Sequence, residues 1–131
     1  MTPHPAALAW IDAQAIETLY LSAVTIAELR YGVAMMPPGK RRTIYQARLE
    51  EEFLPIFEGR VLAFDLAASK AYAILMAQAK ANGHAISKAD GYIAATVAAH
   101  DLMVATRDTG PFLAAGLRVI NPFDGEDISQ P

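Results

Sequence analysis

Four carboxylates in this chain stand where carboxylates are awkward. Glu28 falls in SAVTIAELRYG (22–32), Asp90 in ISKADGYIAA (86–95), Asp108 in LMVATRDTGPF (102–112), and Asp65 directly follows RVLAF (60–64). Each lies beside residues expected to be buried, and a buried carboxylate without a partner is costly. Crowded carboxylates also repel one another. A divalent cation removes that conflict. Mg2+ and Mn2+ prefer oxygen ligands, and sites with few protein carboxylates and several waters are typical of phosphate chemistry. Each acid also has a plainer role open to it. Thr25-x-x-Glu28 and Ser87-x-x-Asp90 both fit the capping box, Asp65 suits a helix N-cap, and Asp108 suits a turn.

The elements that must position these acids alternate along the chain. Pro5 to about Ala15 has helical spacing, and TLYLS (18–22) reads as a strand. Ala23–Met36 is predicted as a helix ended by Met-Pro-Pro-Gly, and Lys40–Phe53 as a more polar one. The latter has Lys40, Arg41 and Arg42 at its start and Glu50, Glu51 and Glu52 at its end, the wrong sense for the helix dipole. RVLAF is the next strand. Asp65 caps a helix over Leu66–Ala81, with Leu66, Ala67, Ala71, Ile74 and Leu75 on the predicted inner face and Asn82-Gly83 at its end. Ser87 caps a helix to His100, LMVA (102–105) is a strand, Thr109–Ala115 one or two helical turns, and Leu117–Ile120 a last strand. The tail, Asp124–Pro131, reads as frayed. Continuous apolar strands alternating with helices predict one α/β/α domain over residues 1–131 with a mostly parallel central sheet. Ligands of such sheets bind beyond the carboxyl ends of the strands, the edge where the following helices start. Asp90 shares a helical face with Ile93, Ala94 and Val97, so it points toward the core rim, and Gly32 leaves space one turn beyond Glu28.

Composition narrows the function. The 131 residues are 53% hydrophobic and 19% charged, enough for a packed core. A net charge of −3 excludes coating nucleic acid by bulk charge, so any such contact is local. Without cysteine there is no disulfide framework and no thiolate chemistry. No signal peptide and no apolar run long enough for a membrane span are found, and a cytoplasmic protein is expected. His4, His84 and His100 show no ligand spacing, and Trp10 suits a core or an interface. Neither GxGxxG nor GxxxxGK[ST] is present, which counts against a nucleotide-binding domain.

Taken in order, SAVTIAELRYG, ISKADGYIAA, LMVATRDTGPF and LRVINPF (117–123) resemble the PIN-domain toxins of the VapC/FitB type over nearly the whole chain. The resemblance implies a PIN-like α/β/α fold and a Mg2+- or Mn2+-dependent ribonuclease, the toxin of a toxin–antitoxin pair. It implies that Glu28, Asp90 and Asp108 hold the metal, with Thr106 as the hydroxyl residue two before the last acid. It implies a cognate antitoxin and a homodimer. Asp65 matches no metal ligand and stays a cap. The chain departs from the family at its start, which has no short apolar strand ending in an Asp-Thr-Asn-type motif. Asp12 of MTPHPAALAWIDAQ does not replace that first aspartate. The expected missing piece is roughly 12–16 residues. Its loss would open a hydrophobic slot with unpaired strand edges and reduce four acids to three. A misassigned start or a truncated, weakly active copy would each account for it.

RNA needs positive charge near the rim. Arg107 lies between Thr106 and Asp108, while Arg30 and Lys88 flank the other two acids. Single-stranded RNA is the expected target. The competing reading keeps the fold and loses the activity: an inactive protein that binds antitoxin or nucleic acid without cleaving. Manganese binding separates the two. The predicted helices at 23–36 and 40–53 carry Tyr31, Met35 and Met36 near the Pro-Pro turn, which either dock an amphipathic antitoxin helix or belong to the core.

Overall fold

The computed structural model describes residues 14, 16–122, 126 and 127. The predicted helix over Pro5–Ala15, with His4, Trp10 and Asp12, falls almost wholly outside them. A 3-10 turn, Ile16–Thr18, leads into β1, Leu21–Ser22. Then follow α1 (Ala23–Ala34), α2 (Lys40–Ala47), β2 (Val61–Leu62), α3 (Leu66–Ala81), α4 (Lys88–Ala99), β3 (Val104–Ala105), α5 (Gly110–Ala114), β4 (Val119–Asn121) and β5 (Glu126–Asp127).

The strands pair in parallel as expected, but in two separate pieces. Leu21 and Ser22 face Val61 and Leu62, and Val104 and Ala105 face Val119 and Ile120. Among the described residues nothing joins β1 to β3. Among the described residues β1, β2 and β3 are each paired on one side only, and the regular ladder covers just two residues where TLYLS and LMVA predicted four or five. Within the segment read as a frayed tail, Glu126 and Asp127 pair antiparallel with Asn121 and Ile120; the residues around them lie outside the description.

The helix ends follow from local chemistry. Ser22, not Thr25, caps α1: its Oγ accepts from the Thr25 N–H at 2.9 Å and donates to Thr25 Oγ1 at 2.8 Å. Asp65 caps α3 through Oδ1, which accepts from the Ala68 N–H at 3.0 Å. At the far end Gly83, with φ +78°, lets its N–H reach the Lys80 carbonyl and the His84 N–H reach the Ala79 carbonyl. This is the paired closure that a left-handed glycine allows. The polar helix predicted over Lys40–Phe53 changes winding instead of running through. It widens to a π-helical Arg48–Phe53 and tightens to a 3-10 turn over Leu54–Phe57, where Pro55 brings no N–H to continue the ladder.

The core lies on the β3–β4 side. Leu75, Ala94, Ala95, Val104, Phe112 and Val119 form one buried cluster. The face of α3 turned inward is Ala68, Leu75 and Ala79, with Ala71 and Tyr72 half-buried. Leu66 and Ile74 of the predicted inner face are instead 87% and 53% exposed. The choice is set by α4, whose small residues admit a close approach. A Cβ on Gly91 would stand 2.7 Å from Met76 Sδ and 3.0 Å from Tyr72 Cε2. Beside it Tyr72 stacks on Tyr92 at 4.8 Å and Phe64 meets Tyr92 edge-on at 5.0 Å, fastening the exit of β2 to both helices. Burial, and then Tyr92, raise the Tyr72 phenol above its ordinary pKa. No helix among the described residues is long and apolar enough to cross a membrane.

Candidate active site

The predicted site residues come from three connections at the carboxyl edge of the strands. Because Ser22 takes the cap of α1, the Thr25-x-x-Glu28 capping box does not form. Glu28 sits in the second turn with an exposed side chain. Gly32, one turn on, has open space around it, as expected.

At α4 the capping pattern is half used. Ser87 Oγ accepts from the Asp90 N–H at 3.2 Å. The Asp90 carboxylate is half-buried and meets no hydrogen-bond donor among the described residues. So the backbone of Asp90 is spent on the helix start while its side chain is not.

Past β3, the Thr106 N–H donates to the Ile120 carbonyl at 3.0 Å and so extends the β3–β4 pairing by one residue. Thr106 Oγ1 in turn accepts from the Asp108 N–H at 3.2 Å. The hydroxyl thus shapes the turn that projects Arg107 and Asp108, both exposed. Lys88 is exposed at the first position of α4, beside Asp90.

Arg30 does not join this edge. Its guanidinium forks onto Glu50, with Nε–Oε1 at 2.7 Å and Nη2–Oε2 at 3.0 Å. Residues two apart on a helix point about 200° from each other, so a cation beside Glu28 in sequence faces away from it. Its predicted RNA contact is therefore displaced by an ion pair that draws α1 onto the π-helical turn. The Arg30 hydrogen bonds hold the Glu50 carboxyl below its ordinary pKa and raise that of Arg30. The pairing was illegible in sequence because its members are 20 residues apart.

A cavity of about 390 Å³ opens between the two sheet pieces. It is lined by Leu21 of β1, Thr25 of α1, Ile93 and Val97 of α4, and Val104 and Ala105 of β3. Each candidate acid lies close to a lining residue in the chain. Glu28 is one turn beyond Thr25, Asp90 one turn before Ile93, and Asp108 three residues past Ala105. The donors are all carboxylate or hydroxyl oxygens, the type that suits Mg2+ or Mn2+. Their gathering is another matter. Among the described residues no three acid or imidazole side chains form a group that could hold a metal ion. The donor chemistry fits; the three-acid set on its own does not.

The PIN-domain family profile matches residues 2–116, and the chain belongs to that family. Relatives narrow the class. The chain is 70% identical to the VapC ribonuclease Y4jK of Sinorhizobium fredii over 122 residues, covering 93% of this chain and 87% of the relative. It is 49% identical to Toxin FitB of Neisseria gonorrhoeae over 121 residues, covering 92% and 87% of the two chains. The crystal structure of FitAcB from N. gonorrhoeae superposes with a TM-score of 0.88 at 48% identity, over 93% of this chain and 88% of that one. Within the family this is a PIN domain of the VapC/FitB toxin type.

Proposed function

We propose that this chain is the ribonuclease toxin of a toxin–antitoxin pair, that it acts in the cytoplasm, and that it hydrolyses RNA phosphodiesters with Mg2+ or Mn2+ as cofactor. One observation carries the site assignment: the half-buried Asp90 carboxylate meets no donor among the described residues, although its own N–H is capped. Its oxygens reach solvent, so the carboxylate is open to a ligand. The cofactor reading rests on the oxygen-only donors Glu28, Asp90 and Asp108. A divalent ion there would supply charge stabilisation at the phosphate. The chain's own residues do the rest. Asp90 orients the attacking water as a hydrogen-bond acceptor. Thr106 holds the Asp108 turn. Arg107 and Lys88 draw the RNA backbone by charge, and single strands are the expected substrate. The test is cleavage of single-stranded RNA by the wild type and by Asp90→Asn, each with Mn2+ and with EDTA. Loss of about 10²-fold or more in the variant, and loss with EDTA, is expected. An equal rate in the variant sinks the reading.

A second reading is favoured by the ungathered acids: a protein that captures its antitoxin and cuts nothing. Mn2+ binding without added RNA separates the two, since only the nuclease needs the ion.

The antitoxin surface we assign is the α1–α2 pair. Tyr31 and Met35 are each 66% exposed, so they are not core. Ile44, with Lys40, Arg41 and Arg48, borders a cavity of about 370 Å³ on α2. Apolar side chains ringed by cations suit an acidic amphipathic helix. A homodimer is supported by the exposed face of α3, where Leu66, Ala73, Ile74 and Ala77 share one side. Ile74→Glu is expected to halve the mass measured by light scattering.

A further inference from the structure

One run of charge in this chain has no role in the acid rim. Four of the eleven Lys and Arg residues, Lys40, Arg41, Arg42 and Arg48, fall within nine positions with no acid between them, in a chain of net charge −3. The first three open α2 in the sense that opposes the helix dipole, with no acid in the first turn, and Gly39 at the N-cap gives no side-chain hydrogen bond. None of the four ion-pairs with a carboxylate among the described residues. The winding divides them. Arg42 turns toward Arg30 and Glu50, with which it lines a pocket of about 210 Å³. Lys40, Arg41 and Arg48 gather around Ile44 and Tyr45 and border the cavity of about 370 Å³. There the Arg41 guanidinium lies over the Tyr45 ring, 5.5 Å from its centre. All three cations are exposed. The face thus offers three unneutralised cations beside a flat aromatic surface.

At the acid rim only Arg107 and Lys88 are assigned to RNA. Affinity for a strand grows with the number of phosphates that cations meet, so a rim with two of them holds RNA weakly. We infer that this face of α2 is a second docking site for single-stranded RNA, outside the acid rim, and that an antitoxin seated on the α1–α2 pair covers it. For its substrate class the inference rests on the ribonuclease reading. The chemistry of the face selects the occupant. An acidic helix satisfies the cations and Ile44 but brings no flat group to extend the stack of Arg41 on Tyr45. A nucleobase extends that stack, while its phosphates meet Lys40 and Arg48. Phosphate charge near the start of α2 also relieves the conflict between its cations and the helix dipole. Because α2 carries none of Glu28, Asp90 and Asp108, the face adds affinity without touching the chemistry. RNA and antitoxin then exclude each other on α2, so an antitoxin bound there lowers RNA capture even where the acids stay open.

The test uses the full 131-residue chain and a fluorescein-labelled, unpaired RNA of about 12 nucleotides. Binding is read by anisotropy in EDTA, so that no strand is cut, from about 50 to 200 mM salt. The double variant Arg41→Ala, Arg48→Ala is expected to bind about tenfold or more weakly at the low end, with a log–log salt slope flatter by about 1.4. Tyr45→Leu is expected to bind about fivefold or more weakly with the slope unchanged, since it removes stacking and no charge. Arg118→Ala, at an exposed cation between α5 and β4, should change neither. Urea midpoints equal to that of the wild type show that the exposed-arginine variants keep the fold. Binding by the double variant within about twofold of the wild type overturns the inference. An equal loss with Arg118→Ala also overturns it, because the effect is then one of overall charge. If the double variant loses affinity for a labelled oligoglutamate of the same length and not for RNA, the face serves an acidic protein alone and the inference falls. Cleavage is not a readout here. RNA that docks on α2 but is never cut with Mn2+ sinks the ribonuclease proposal and leaves this one standing.

Discussion

The half of the molecule built from α3, α4, α5 and the β3–β4 pair encloses most of its apolar side chains in one cluster, with Ala94, Ala95 and Val119 fully buried and only Leu66 and Ile74 among its large apolar residues exposed. The half built from α1, α2 and the β1–β2 pair buries Ile26, Leu49 and Phe57 but leaves Tyr31, Met35, Ile44, Ile56 and Val61 open. The same chain thus spends its hydrophobic residues in two ways. The first half is scaffold, and it carries Asp90 and Asp108 on elements it holds tightly. The second half carries Glu28 and keeps apolar surface in reserve for contacts. Between them lies the cavity of about 390 Å³.

The largest effect that tests this division is at Phe112, 4% exposed in the packed cluster. Phe112→Ala should cost about 3–5 kcal/mol of stability by urea unfolding, a transfer loss plus a cavity. If the change costs under 1 kcal/mol, the packed half is not the scaffold. Next comes Gly91. The methionine sulfur facing it could swing aside, but the Tyr72 ring is pinned in its stack on Tyr92. Gly91→Val should cost about 1–3 kcal/mol through overpacking, measured the same way. Because Asp90 is its neighbour, retained Mn2+ binding in this variant would show that helix spacing and site chemistry are separable.

How far each half was legible in sequence follows the same division. The ends of α3 and α4 were written locally, in Asp65, Asn82-Gly83 and Ser87, and the structure uses all of them. The inner face of α3 was misread by one position. Alanines at 67, 68, 71, 73 and 77 fit either side of a helix, and only the close packing on Gly91 decides between them. Glu28, Asp90 and Asp108 were singled out because helix starts and strand ends mark the carboxyl edge of a parallel sheet. Whether they gather was not legible, because it depends on how three connections distant in sequence meet in space. The Arg30–Glu50 pair, the winding change after Ala47 and the pairing of Glu126–Asp127 all depend on partners distant in sequence.

On the open half, substitution should separate binding from stability. Tyr31 and Met35 are mostly exposed, so the double change Tyr31→Ser, Met35→Ser should move unfolding by no more than about 0.5 kcal/mol per site. Affinity for an acidic amphipathic antitoxin helix, read by calorimetry, should fall at least about tenfold. Loss of stability with unchanged affinity would make these residues part of the fold and remove the proposed docking surface.

The smallest effect is at Arg30–Glu50, an exposed pair, yet it discriminates between two accounts of Arg30. The Glu50 carboxyl is held below its ordinary value, so the pair's stabilisation is present above about pH 4.5 and fades as pH falls through the lower, folded value. The difference between wild type and Glu50→Gln should therefore be measurable at pH 7, shrink in high salt, and shrink again as pH falls below about 4.5. A difference that does not change with pH would come from packing of the long side chains and not from charge. If Arg30 served RNA, the same variant would free its guanidinium and tighten RNA binding. The structure predicts no tightening, because Arg30 faces about 200° from Glu28 on α1. Arg107→Ala and Lys88→Ala should then each weaken RNA binding and flatten its salt dependence, while Arg30→Ala leaves both unchanged.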